Sequence, residues 1–221
     1  MTQATGNFTK RVGDYDIDVR GKGRQFKSDF LEKFSSCHGL VPLFLYGPIV
    51  ILCLVVAAAS FAIPPLAMLG LAAAGAAFWT FFEYWMHREV FHWKGIQKVH
   101  YFLHGIHHMY PNDKGRQVMP PGASLVVAVP MWFLMQLLFG TATALPIFAG
   151  FVGGYIWYDT THFWTHVGKA RSRYGKYLKK HHMLHHFKSH HHGFGVSTPF
   201  WDWVFRTMPE KDPTDSPTSG T

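Results

Sequence analysis

Long apolar runs constrain this 221-residue chain more than any other feature of its sequence. Residues 40–63 contain no charged side chain, and residues 66–86 contain only Glu83. A helix needs about 20 apolar residues to cross a hydrocarbon core of about 30 Å. Each run is therefore long enough to be a transmembrane helix, and the proline pair between them, Pro64 and Pro65, breaks the helix. The Ala and Gly of the second run favour close helix packing in a bilayer.

A second pair of apolar runs lies at residues 123–139 and 144–161, joined by a connector at residues 140–143. These runs are shorter, so a re-entrant hairpin is an alternative to two full spans. We favour two spans, which gives four transmembrane helices in two hairpins.

The positions of the cationic residues predict the orientation of these spans. Seven Lys and Arg precede the first span, five lie in the middle loop and nine follow the fourth span, whereas the two short connectors have none. The positive-inside rule therefore places both termini and the middle loop in the cytoplasm. A bacterial inner membrane and an endoplasmic reticulum membrane fit this multi-pass topology equally well.

Several other classes of protein are disfavoured. No basic run alternates with aromatic residues as in a single-strand binder, so we expect no nucleic-acid partner despite the formal net charge of +8. The two cysteines, Cys37 and Cys53, are too few for a disulfide scaffold. No apolar segment near Met1 indicates a cleaved signal peptide.

Composition divides the chain into three segments. Residues 1–36 are polar, but Phe26, Phe30, Leu31 and Phe34 recur at helical spacing. They predict a short helix that lies on the membrane surface or packs on a soluble cap. Residues 37–209 form the membrane domain, and residues 210–221, rich in Pro, Ser, Thr and Asp, are expected to be disordered.

Ten histidines fall in four short groups at the predicted cytoplasmic ends of the second and fourth spans. Two groups have the spacing His-x-x-His-His, which places three imidazoles on one helix face. The ten are His87, His92, His104, His107, His108, His162, His166, His182, His185 and His186. Buried imidazoles need partners, and imidazole is the commonest metal-ligating side chain. The sequence therefore predicts an all-α integral membrane protein whose cytoplasmic, histidine-rich helical cap binds metal.

The number of histidines favours two ions, because ten ligands exceed what one ion can use. Imidazole suits Zn, Cu, Fe and Ni, and the spacing does not choose among them. Glu83 and Asp159 precede His87 and His162 by one helical turn, so we expect each carboxylate to hold the second ring nitrogen of a ligand. The alternative is a simple charge at a helix end.

Six other histidines are not predicted to be ligands. His181 adjoins His182, but only His182 completes the spacing with His185 and His186. The others stand apart from the four groups or crowd a loop: His38, His100, His190, His191 and His192.

With these groups in order on four spans, the sequence resembles the membrane fatty acid hydroxylase superfamily, and within it the fatty acid 2-hydroxylases, or sphingolipid α-hydroxylases. The likeness runs from about residue 34 to residue 209. The stretches that carry it are residues 83–92 (EYWMHREVFH), 103–108 (LHGIHH), 116–121 (RQVMPP), 158–162 (YDTTH), 178–187 (LKKHHMLHHF) and 193–205 (GFGVSTPFWDWVF). Desaturases and sterol oxidases share the histidine spacing. The Pro-Pro loop and the stretch at residues 193–205 instead resemble the 2-hydroxylases in particular.

The resemblance implies a dinuclear iron centre held by the ten histidines, in sites that zinc can occupy in isolated protein, with O2 as co-substrate. It implies hydroxylation at C2 of a long acyl chain, either free or in a ceramide-like lipid, that enters from the bilayer. Relatives often carry an N-terminal cytochrome b5 domain, for which about 36 residues are too short. We therefore expect a separate electron donor, cytochrome b5-like or ferredoxin-like.

Four residues are candidates for contact with the lipid head group: Tyr110 and Asp113 in the middle loop, and Trp201 and Trp203 near the C-terminus. The tryptophans fit an interfacial aromatic belt equally well. Two rival functions stay open. One is a desaturase, sterol-type oxidase or carotenoid hydroxylase on the same histidines. The other is membrane metal transport or storage, which the position of the histidines at span ends disfavours because transporters bind their cargo near the midplane.

Overall fold

A short β-hairpin opens the part of the chain that the structure, a computed structural model, describes, which is residues 9–210. Strand β1 (Thr9–Val12) pairs antiparallel with β2 (Tyr15–Asp18). This hairpin departs from the all-α expectation. Tyr15 and Ile17 are buried while Asp16 between them is exposed, which is the two-residue period of a half-buried strand. The tail predicted to be disordered lies outside the described residues, apart from residue 210.

The predicted N-terminal helix is present but short. Helix α1 (Asp29–Phe34) begins after Ser28, whose hydroxyl accepts the N–H of Leu31. Phe26 lies outside it. Phe30, Leu31 and Phe34 are 69%, 46% and 66% exposed, so an apolar face of this helix is turned outward.

The first two apolar runs form α2 (Val41–Phe61) and α3 (Pro65–Trp85). Pro42 and Pro65 lie in the first turns of these helices, where the missing N–H costs nothing. Ala62 ends α2 in the left-handed conformation just before Pro64. These bounds agree with the predicted spans to within two residues.

Short helical elements follow α3. Together with the two helices after α6, they form the part of the structure here called the cap. A π-helical segment (Met86–Phe91) continues directly from α3. After it come α4 (Gln97–His100), a second π-helical segment (Tyr101–Gly105), α5 (Ile106–Met109) and a 3-10 turn (Lys114–Arg116).

The second pair of apolar runs forms α6 (Pro121–Val167), which is interrupted only at Gly140. Gly140 has a φ of 73° and a ψ of 158°, a conformation that glycine adopts without a steric penalty. The predicted four-residue connector is thus a single residue, because Thr141 to Thr143 remain helical. Helices α7 (Arg173–Phe187) and α8 (Phe200–Val204) complete the cap.

Three helices in the described residues are long and apolar enough to cross a membrane: Val41–Phe61, Pro65–Phe91 and Lys114–Val167. The third includes both sides of the Gly140 break. Large apolar side chains on these helices face outward, among them Leu66 and Leu137, each 82% exposed. Such a surface suits lipid rather than water.

Helix α6 packs along both α2 and α3, and the α3–α6 contact is very close. A Cβ added at Gly150 would lie 1.8 Å from the carbonyl oxygen of Ala72, and one at Gly75 would lie 1.9 Å from that of Ile147. The small residues therefore let the two backbones touch, as the Ala- and Gly-rich sequence predicted. Aromatic rings fill the adjoining core, including Trp79, Phe151 and Tyr155.

Candidate metal centre

The structure brings the ten predicted histidines together in two groups of five. Within each group, one ring nitrogen from every residue lies within 4.8 Å of the others. The first group is His87, His92, His104, His108 and His185. The second is His107, His162, His166, His182 and His186. The division between two sites, which the sequence left open, thus follows from the fold.

Two elements contribute to both groups and hold them side by side. Helix α7 places His185 in the first group, and His182 and His186 in the second. The 101–109 segment likewise places His108 in the first and His107 in the second. The rings of His108 and His186 stack at 4.2 Å across the boundary.

The π-helical segments explain why residues with unusual spacing converge. His87 and His92 are five residues apart, and a π-helix repeats near that spacing, whereas an α-helix does not. Their ring centroids lie 5.1 Å apart. His104 lies in the second π-helical segment, one turn before His107 and His108.

The Nε2 atoms face one another at distances suited to metal ligands. They lie 2.9 Å apart for His87 and His104, and 2.8 Å apart for His166 and His182. Ring nitrogens this close together could all bind one ion, and imidazole is a common metal ligand. The same spacing joins His107 to His162 at 3.0 Å and to His186 at 2.9 Å.

Backbone carbonyls set the orientation of three of the rings. The Nδ1–H of His87 donates to the carbonyl of Phe194 at 2.5 Å, and that of His162 to the carbonyl of Gln117 at 2.6 Å. The Nδ1–H of His185 donates to the carbonyl of His192 at 2.8 Å. A neutral imidazole carries one N–H, so each of these rings presents an unprotonated Nε2 to its group.

Burial keeps the imidazoles in the form that binds metal. Desolvation lowers the pKa of His104, His107 and His108 well below its usual value, and the neighbouring imidazoles lower it further. The pKa values of His182, His185 and His186 are lowered in the same way. The two groups are therefore neutral clusters of nitrogen lone pairs, and the residues present fit two metal ions.

Glu83 and Asp159 lie near their predicted places but bind different groups. Glu83 Oε1 accepts the N–H groups of Val196 and Ser197 at 2.7 and 2.8 Å. Asp159 accepts the N–H of Met119 at 3.3 Å. Neither carboxylate takes the ring N–H that was expected, because the carbonyls of Phe194 and Gln117 already accept it. Each acid instead holds the segment that carries the relevant carbonyl.

Asp202 also binds the segment that carries the Phe194 carbonyl, a role that was not predicted from the sequence. It is fully buried and accepts the N–H groups of Phe194 and Gly195 at 2.9 and 2.8 Å. It also lies 2.9 Å from the Nε2 of His181. The structure thus brings His182, and not His181, into the metal-ligand group. The available signal was an acid between two tryptophans, Trp201-Asp202-Trp203, in an otherwise apolar stretch.

The remaining histidines lie outside both groups. His100 Nε2 lies 2.7 Å from the hydroxyl of Tyr15, whose ring stacks on His108 at 4.6 Å. Tyr15 was also missed, because its position depends on the unexpected hairpin. His190 is buried against the same tyrosine, and His38 is exposed.

A cavity of about 510 Å³ reaches both histidine groups. His104 of the first group and His107 and His162 of the second line one part of it, and most of the remaining lining is apolar. A smaller apolar pocket of about 40 Å³ shares Met119 and Tyr158 with it, so the two adjoin. An apolar ligand can therefore reach the imidazoles of both groups.

None of the four predicted head-group residues lines this cavity. Asp113 accepts the N–H groups of Gly23 and Gly115, which makes it a capping residue. Tyr110 lies against Gly21 and Gly23. Trp201 donates its indole N–H to Thr80 at 3.0 Å, and Trp203 is 69% exposed, as in an interfacial belt.

Comparison with known proteins shows what this arrangement resembles. A model of the fatty acid hydroxylase family matches residues 72–207. A dihydroceramide fatty acyl 2-hydroxylase of Arabidopsis thaliana is 38% identical over 193 residues, which are 84% of this chain and 80% of the relative. The fatty acid 2-hydroxylase of Mus musculus is 42% identical over 67% of this chain and 42% of its own length. A solved structure of full-length scs7p, with only its hydroxylase domain visible, has a TM-score of 0.82 at 34% identity and covers 93% of this chain and 78% of that one.

Proposed function

Because this chain belongs to the fatty acid hydroxylase family, and is therefore a hydroxylase and an oxidoreductase, we propose that it hydroxylates the C2 carbon of a long-chain fatty acyl group. The acyl group is free or part of a sphingolipid or ceramide, as the names of the relatives suggest. The observation that carries the proposal is the apolar cavity, whose lining includes imidazoles from both histidine groups.

Each group of five histidines would hold one metal ion, and iron is the metal we propose, with zinc able to take its place in isolated protein. Each group offers five imidazole nitrogens, and imidazole is a ligand that iron and zinc both accept. Iron with O2 as co-substrate supplies the oxidation of the C–H bond. Insertion of one oxygen atom from O2 also consumes two electrons and two protons and releases water. We propose that the electrons come from a separate cytochrome b5-like or ferredoxin-like protein.

The protein's own contribution is to bind the lipid, to orient it and to exclude water. The apolar lining stabilises a buried acyl chain by about 25 cal/mol for each Å² of apolar surface removed from water. His104, His107 and His162 mark the place in the cavity where C2 must lie. The hydrogen bonds that orient the rings of His87 and His162 keep the metal ligands in the same position relative to the bound lipid.

For the membrane, we propose four spans in two hairpins with both termini and the metal centre on the cytoplasmic side. The Gly140 break supports the division of α6 into two spans. The charge distribution supports the orientation, because the cationic residues flank the histidine-bearing ends. A bacterial inner membrane or an endoplasmic reticulum membrane would suit this topology. The outward Phe30 of α1 supports contact with the membrane surface.

Expression in a host that lacks 2-hydroxy lipids tests this function. We expect 2-hydroxy acyl chains in its lipids, and none when His107→Ala removes a nitrogen of the second group. The matched control is His191→Ala, since His191 is exposed and lies outside both groups. Alkenes or oxidised rings in place of the 2-hydroxy chains would indicate a desaturase or a sterol- or carotenoid-type oxidase. Metal uptake into vesicles without O2 consumption would indicate a transporter.

A further inference from the structure

We infer that residues 23–35, here called the strap, form a wall of the acyl cavity and determine which acyl lipids the enzyme accepts. The strap lies outside residues 72–207, which the family model matches. It nevertheless supplies five residues of the cavity lining: Gln25, Phe26, Leu31, Phe34 and Ser35. The inference rests on the proposed function, because it assigns part of the specificity of that same site.

A single buried guanidinium holds the strap in place. The side chain of Arg116 is 4% exposed. Its Nε donates to the carbonyl of Gly23 at 3.1 Å, and its Nη1 donates to the carbonyl and the hydroxyl of Ser35 at 2.6 and 2.9 Å. Its Nη2 donates to Glu32. Arg116 therefore ties both ends and the helical part of the strap to one point.

Glu32 completes the attachment from the strap's own side. One of its carboxylate oxygens binds Arg116, and the other accepts the N–H groups of Gln25 and Phe26 at 3.0 and 2.8 Å. This places the Phe26 ring edge-on against Phe102, another lining residue, at 4.8 Å. The strap is thus a defined wall and not a loose N-terminal segment.

The attachment of the strap adjoins the attachment of a metal ligand. Arg116 is followed by Gln117, whose carbonyl fixes the ring of His162. Asp113, three residues before Arg116, accepts the N–H of Gly23. The position of the cavity wall and the position of an imidazole are therefore set by the same short loop. A lipid that contacts the strap therefore lies at a fixed distance from the second histidine group.

A comparison of the two phenylalanines of α1 can distinguish a role in the cavity from a role in membrane contact. Phe34 lines the cavity, whereas Phe30, on the same helix, does not. They are similarly exposed, at 66% and 69%, and their rings lie 5.2 Å apart. If α1 served only as a membrane anchor, the two would be equivalent. If the strap shapes the cavity, only Phe34 affects which acyl chain fits.

The test compares Phe34→Ala and Leu31→Ala with Phe30→Ala in the full-length, metal-loaded protein. Ceramides with a 16-carbon and a 24-carbon acyl chain are offered together, and both the bound lipid and the product are measured by mass spectrometry. We expect the ratio of the two to change by about fivefold or more in Phe34→Ala and Leu31→Ala. One methylene in an enclosed apolar pocket changes specificity by about 10–200-fold, and these two side chains are only partly enclosed. In Phe30→Ala the ratio stays as in the parent, and metal content is unchanged in all three.

Equal changes in Phe30→Ala and Phe34→Ala, or an unchanged ratio in both, would overturn the inference. The bound-lipid ratio keeps the test independent of the chemistry. If the parent binds both lipids but makes no 2-hydroxy product, the proposed function fails while the ratio still decides the role of the strap. If the parent binds neither ceramide, the inference also fails. A second variant, Glu32→Ala, should raise KM for the lipid more than it lowers kcat, since it loosens the wall without touching a histidine.

Discussion

At the residue scale, the metal centre depends on hydrogen bonds that reach far along the chain. The carbonyl that fixes His87 belongs to Phe194, 107 residues away. Local spacing predicted the ten histidines and placed Glu83 and Asp159 beside them. It could not identify the partners of their rings, because helical periodicity relates only residues of one helix. Glu83 and Asp159 bind the backbone segments whose carbonyls orient the rings of His87 and His162.

Glu83 is expected to act through the backbone of residues 194–197. Glu83→Ala would leave the buried N–H groups of Val196 and Ser197 without an acceptor, which costs about 2–4 kcal/mol of unfolding free energy. The loop would then hold His87 less firmly, and metal affinity should fall by about 10–100-fold. Glu83→Gln keeps an acceptor oxygen, so it should retain most of the unfolding free energy and most of the metal affinity.

Chelator competition and thermal unfolding measure these two quantities. Loss of metal affinity in Glu83→Gln equal to that in Glu83→Ala would show that the carboxylate charge, and not its acceptor oxygen, matters. Asp16→Ala is a suitable control, since Asp16 is an exposed acid of β2 that belongs to neither histidine group.

At the element scale, the long helices were predictable and the short ones were not. Apolar runs predicted α2 and α3 within two residues, because length and composition suffice for a span. The π-helical segments, which bring His87 and His92 together, have no local sequence signature. The β-hairpin was overlooked although Tyr15, Ile17 and Val19 alternate with acidic residues, since only four residues form each strand.

The contact between α3 and α6 gives a direct prediction. Gly150→Ala would place a methyl group 1.8 Å from the carbonyl oxygen of Ala72, so the helices must separate. Overpacking of this kind costs about 1–3 kcal/mol, and we expect unfolding in detergent to require less denaturant. Gly153→Ala, three residues along the same helix, meets nothing within 4 Å and serves as the control. Equal stability of the two variants would contradict the close contact.

The strap should loosen in acid. Partial burial raises the pKa of Glu32, but the N–H of Phe26 and the charge of Arg116 outweigh it and hold the pKa below the usual value. A carboxylate with a lowered folded-state pKa contributes stability above its unfolded pKa and loses it as pH falls through the folded pKa. Arg24 and Tyr101 also interact electrostatically with Glu32, and neither titrates in this range.

Hydrogen exchange of residues 23–35 measures this loosening. Exchange in the parent should accelerate, relative to the rest of the cap, as pH falls below about 4.5, after correction for the intrinsic pH dependence of exchange. Glu32→Gln should exchange faster at neutral pH and show no further change attributable to this residue in acid. A strap that responds to acid in the same way in both proteins would mean that Glu32 does not secure it.

At the scale of the whole molecule, the sequence anticipated a membrane bundle with metal ligands at one end. The fold adds what connects the parts: α7 and the 101–109 segment join the two histidine groups, and the N-terminal strap joins the cavity. The head-group residues proposed from the sequence do not line that cavity. They were chosen for their place in the middle loop and near the C-terminus, whereas the cavity is lined mostly by apolar residues from distant segments, which composition alone cannot assemble.

The central claim is that the two histidine groups direct an oxygen atom from O2 to C2 of an acyl chain. Incubation of the iron-loaded protein with a reduced electron donor, a ceramide and 18O2, followed by mass spectrometry, tests it most directly. We predict a 2-hydroxy acyl product that carries one 18O atom, and no such product from His107→Ala. An unlabelled hydroxyl group, oxygen at another carbon, or a double bond without oxygen would contradict it.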